Sequence, residues 1–157
     1  MTHELKLVDD MIQSILQPLG FKKRKLLWWR ECGEITQVIG LDKMTYGFPH
    51  YNFCYGLVID KFKFPHIPRI AINGLNVDWN FAEKVLVAEN KSFFLEALKL
   101  DSPMPIEQRL EAIRALVTDY VLPTFEATNT IEKLRVVLNT LKHPYRTSMT
   151  TFLLEDL

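Results

Sequence analysis

The hydrophobic period of this chain changes twice, and that pattern limits the folds open to it. Leu5, Val8, Met11, Ile12, Ile15, Leu16 and Leu19 recur at steps of three and four, which places them along one side of a helix. Between Phe21 and Asp60 the period drops to two. Ile35, Gln37, Ile39 and Leu41 share one face of a predicted strand, and Tyr51, Phe53, Tyr55, Leu57 and Ile59 share one face of another. From Asn80 onward the helical period returns. Strand and helix patterns that are segregated rather than alternating indicate an α+β architecture, in which the helices cover one face of an antiparallel sheet.

The breakers fit that division. Thr2 is suited to cap the first helix, and Pro18 and Gly20 end it. Phe21 to Glu31, Ile35 to Lys43 and Tyr51 to Asp60 read as three strands, with Cys32-Gly33-Glu34 as a tight turn between the first two. Short connections imply antiparallel pairing. Met44 to His50, with Gly47 and Pro49, forms a longer loop that presents Tyr46, Phe48 and His50 at a sheet end. Arg69 to Asn73 reads as a short fourth strand. Helices follow at Phe81 to Ala88 and at Lys91 to Leu100, where Phe94, Leu95 and Leu98 are inward. Pro105 opens the next, with Ile106, Leu110, Ile113, Val117, Tyr120 and Val121 as its stripe until Pro123. Asn129 with Glu132 resembles a capping box before a last helix that buries Ile131, Leu134, Val137, Leu138 and Leu141. The expectation is one domain over 1–157 with a three- or four-stranded antiparallel sheet.

Composition narrows the function classes. Hydrophobic residues make up 48% of the chain, enough for a packed core rather than a disordered segment. Lys plus Arg equal Asp plus Glu at 19 each, so no overall field draws the chain to nucleic acid or an anionic membrane. No apolar run is long enough to span a bilayer. The two cysteines, Cys32 and Cys54, lie in predicted strands without metal-ligand spacing and without a signal-peptide pattern ahead of them, which suggests a reducing, cytoplasmic setting. A disulfide between neighbouring strands is the alternative in an oxidising compartment.

Chemistry-bearing patterns are few. His3, His50, His66 and His143 are scattered without the spacing of a metal site. The glycines lie singly, with no nucleophile elbow or phosphate-cradling loop. No metal or cofactor is expected. Asp42 and Asp60, near the ends of adjacent strands, are a conceivable acid–base pair, although strand-end carboxylates are more often solvated. The run Lys22-Lys23-Arg24-Lys25 followed by Trp28-Trp29-Arg30 is the most unusual local feature. Positive charge and aromatic faces together can hold phosphates and stack bases. The same run can also be a charged edge strand that resists aggregation, with one Trp in the core and the other outside. Tyr46, Phe48, Tyr51, Tyr55 and Trp79 add aromatic surface or core of the type that anchors protein interfaces.

The strings F-K-K-R-K-L-L-W-W-R-E from Phe21, G-E-I-T-Q-V-I-G-L from Gly33 and Y-N-F-C-Y-G-L from Tyr51 resemble a bacterial family known as domain of unknown function 4304. The resemblance continues through Arg69 and Ile70, R-L-E-A-I-R, and the L-P-x-F of Leu122, Pro123 and Phe125. The chain departs from the family pattern at Asp42-Lys43, where a Gln-Lys pair is usual, and at Gly56, where an Asn is usual. The resemblance implies a small α+β domain, and some stand-alone bacterial domains of this kind resemble immunity proteins of toxin systems.

The expected function is therefore a non-catalytic module that binds a protein partner, immunity-like, and not an enzyme. Its candidate contact residues are Lys22, Lys23, Arg24, Trp28, Trp29, Arg30, Tyr46, Phe48, His50 and Trp79. The alternative is a nucleic-acid-binding protein or an enzyme that uses the basic aromatic strand.

Overall fold

The computed structural model describes residues 1–43, 49–59, 79–80 and 91–140, the side chains of 79, 80, 91 and 138–140 excepted. Helix α1 (His3–Leu16) begins where Thr2 Oγ1 accepts the Leu5 N–H at 3.3 Å. It ends in a single 3₁₀ turn, Gln17–Leu19, after which Gly20 takes φ +83°. That left-handed conformation is open to glycine without steric cost.

The sheet is an antiparallel meander of β1 (Lys22–Arg24), β2 (Leu27–Cys32), β3 (Ile35–Lys43), β4 (Tyr51–Ile59) and β5 (Trp79–Asn80), in that order. The predicted first strand is thus two strands. Lys25 and Leu26 form a two-residue turn within it, and Lys25 stands at φ +56°. With β5 at the far edge, the described residues contain five strands. The predicted strand at Arg69 to Asn73, the helix at Phe81 to Ala88 and the tail after Tyr145 lie outside the described residues.

The helical half comprises α2 (Lys91–Ala97), α3 (Ile106–Ala115), a π-turn at Leu116–Val121, α4 (Leu122–Ala127) and α5 (Ile131–Thr140). Pro123 does not break this run, contrary to its reading as a stop. Proline has no N–H to give the carbonyl four residues back. The chain widens by one residue just before it, so that the Leu122 N–H reaches the Val117 carbonyl, and the helix continues. The wider turn also changes the stripe: Leu116 and Phe125 are fully buried, whereas Leu110 and Tyr120 are only partly so. Leu95 is exposed, and Ala97 and Leu100 are buried in its stead beside Phe94 and Leu98. The cap of α5 is Thr130, whose hydroxyl accepts the Lys133 N–H at 3.2 Å, rather than Asn129.

The register sorts the sheet residues into two faces. Lys23, Trp28, Ile39 and Tyr55 are aligned across β1 to β4, and Arg30, Gln37 and Leu57 across β2 to β4, so all of these face the same way. On this face Ile12 and Leu16 of α1, Val117 and Val121 of the π-turn, and Phe125 of α4 complete one core. Phe125 stacks on Phe21 at 6.2 Å and meets Tyr55 edge-on at 6.0 Å. The other face carries Leu27, Trp29, Val38, Cys54 and Gly56. Cys32 faces the core and Cys54 the opposite side, with β3 between their strands, and both thiols are free. A disulfide between neighbouring strands is therefore ruled out by position. No helix among the described residues is long and apolar enough to cross a membrane.

Arg109 joins the helices. Its side chain is fully buried without a carboxylate partner; instead Nη1 donates to the carbonyl oxygens of Ala97 at 2.6 Å and Lys99 at 2.7 Å, and Nη2 to Ser102 O at 3.2 Å and Oγ at 3.1 Å. The guanidinium thus takes up carbonyls left over where α2 ends. Arg109→Met should cost about 3 kcal/mol in urea denaturation, because several buried carbonyls lose their donors at once. Arg109→Lys should restore only part of this, since one ammonium cannot span the same set of oxygens.

The Tyr55 phenol is pushed up to about 12, first by burial, against a smaller opposing effect from its hydrogen bond with Thr124. A folded value above the unfolded one leaves stability intact below about pH 10 and removes it as pH rises toward the folded value. In an alkaline titration followed by phenolate absorbance, one tyrosine should ionise only in that late range. Tyr55→Phe should abolish this phase.

Candidate functional site

The basic aromatic segment does not form one surface. Lys23, Trp28 and Arg30 face the core, while Lys22, Arg24 and Trp29 face away. Trp28 is fully buried, and its indole N–H donates to Gln13 Oε1 of α1 at 3.0 Å. Lys23 Nζ lies 2.6 Å from Asp9 Oδ1, an ion pair without an aligned hydrogen bond, and 5.5 Å from the centre of the Trp28 ring. Asp9 is itself buried on α1. This cation therefore closes β1 against the first helix.

Arg30 is bound on every side. Its Nε and Nη2 donate to Gln37 Oε1 at 3.0 and 2.8 Å, its Nη1 to the Leu19 carbonyl at 3.2 Å, and its Nη2 to Glu126 Oε1 at 2.9 Å. The guanidinium carbon stands 4.9 Å from the centre of the Phe21 ring. Gln37, fully buried, turns its amide N–H toward the Phe125 carbonyl at 3.1 Å. One arginine thus ties the end of α1, two strands and the end of α4 together.

Lys22 pairs with Glu31 at 3.3 Å, both side chains about 60% exposed, so the bond adds little stability. Trp29 is half-buried on the second face, between Lys22 and Val38. Of the two adjacent tryptophans it is the one that reaches the surface. Asp42 is on that face and Arg30 on the other, so the two do not meet in a common pocket. Burial, and to a lesser extent the charge of Asp42, push the Cys54 thiol pKa up. Among the described residues no cluster of His, Cys, Asp and Glu could hold a metal ion. Tyr46, Phe48, Asp60, His66 and His143 lie outside the described residues; Trp79 is described only through its backbone pairing with Leu57.

Outside the core, the β1–β2 turn and the facing ends of β3 and β4 mark one end of the sheet, with Arg24, Asp42 and Asn52 on one face and Lys43 and Tyr51 on the other. Arg24, Lys25, Asp42, Lys43 and Asn52 are exposed there, and Pro49, His50 and Tyr51 are half-buried. Backbone bonds join the described parts of this end to one another and to the turn after α2. The Leu41 N–H donates to the Leu26 carbonyl at 3.0 Å, the Leu100 N–H to the Pro49 carbonyl at 3.0 Å, and the Tyr51 N–H to the Leu98 carbonyl at 3.1 Å. His50 Nε2 lies 3.0 Å from Asp101 Oδ1, and Lys99 Nζ 3.1 Å from Glu96 Oε2. Arg109 holds the same Lys99 to Ser102 segment from beneath.

Of the residues expected at a contact surface, Arg24 and His50 belong to this end, whereas Lys23, Trp28 and Arg30 are committed to the interior. Lys25, Lys43, Lys99 and Asp101 were not among those expected. Lys25 was visible as the fourth cation of the basic run, but only the turn shows that it projects from the tip. Lys43 had no signal beyond its place at a strand end, and the proximity of Lys99 and Asp101 to His50 depends on how the turn after α2 meets β4.

A five-stranded antiparallel meander with a helix before it and helices after it defines a small α+β domain. The chain matches the family model described as domain of unknown function (DUF4304) over residues 12–127, and it belongs to that family. The match runs from within α1 to the last residue of α4. No curated protein and no solved structure matches it. Asp42 and Gly56 lie on the same face of the sheet.

Arg30→Ala should destabilise the fold by about 2–3 kcal/mol in urea denaturation, since it leaves Gln37 Oε1 buried without its donor. Glu126→Gln should cost less than about 1 kcal/mol, because that carboxylate is 62% exposed. Equal losses for the two would contradict the ranking.

Proposed function

We propose that this chain is a non-catalytic protein-binding module, immunity-like, that occludes a partner protein in the bacterial cytoplasm. One observation carries the reading. Three backbone hydrogen bonds between elements join the described parts of the turn end of the sheet, which expose charged side chains beside half-buried Pro49, His50 and Tyr51. A rigid, mixed surface of this kind binds without an ordering cost and suits a protein partner.

The nucleic-acid reading loses most of its support. Three of the residues that would have stacked bases or held phosphates, Lys23, Trp28 and Arg30, are tied to Asp9, Gln13 and Gln37 inside the fold. Of the basic aromatic segment's two tryptophans only Trp29 offers a ring at the surface, and Glu31 answers the charge of the neighbouring Lys22. A cytoplasmic setting is supported by two thiols that cannot reach each other across the sheet.

The test is genetic and biochemical. The product of the adjacent reading frame is expressed alone and together with this chain. Protection of the cells and co-purification of the two proteins are expected. An adjacent product that is neither bound nor neutralised would overturn the proposal.

A further inference from the structure

We draw no further inference here: the strongest candidate, the second face of the sheet where Thr36, Val38 and Val58 are buried beside half-buried Trp29, carries nothing because nothing among the described residues shows what covers it.

Discussion

The fold depends on one buried amide. Gln37 sits in the middle of the sheet with no access to water, and both ends of its side chain need partners to avoid a desolvation cost of about 1–3 kcal/mol each. Arg30 supplies two donors to its oxygen, and Phe125 supplies the acceptor for its N–H. This requirement fixes how the helical half meets the sheet, because only one placement of α4 puts the Phe125 carbonyl within reach. Once it is there, the Phe125 ring meets Phe21 and Tyr55, and the leftover N–H groups of Arg30 bind Leu19 and Glu126. Hydrophobic burial drives the collapse, and the polar hub selects among the ways of packing.

Arg109 has the same role in the helical half. A guanidinium surrounded by carbonyls holds the turn after α2 in place, and through it the segment that faces His50. The shape of the turn end of the sheet thus follows from interior contacts made by residues that never reach the surface. The described part of the candidate contact surface is thereby tied to the core, as a preorganised surface requires.

The architecture was largely legible in the sequence, because hydrophobic periodicity is a local signal. Leu5 to Leu16 and Ile35 to Ile59 announce a helix and strands whatever they pack against, and Thr2, Gly20 and Gly33 mark the ends. Among the local readings that failed, two did so for nameable reasons. Lys25 carries no turn signature, so the hairpin inside Phe21 to Glu31 was hidden; and Pro123 was read as a stop because a π-turn that accommodates proline leaves no mark in composition. The candidate site was much less legible. The basic aromatic run advertised a surface, yet strand alternation sends Lys23, Trp28 and Arg30 inward, and the partners that neutralise them lie in other elements, at Asp9, Gln13 and Gln37. Charge next to an aromatic ring reads the same in sequence whether it serves a ligand or the core.

The central claim is that Arg30 and Gln37 act as one unit that locks helices to sheet. A double-mutant cycle with Arg30→Met and Gln37→Leu, read by urea denaturation, tests it most directly. A coupling of about 1–3 kcal/mol is expected, with the double variant losing much less than the sum of the single losses. Additive losses would mean that the two side chains stabilise the protein independently, and the hub would not exist.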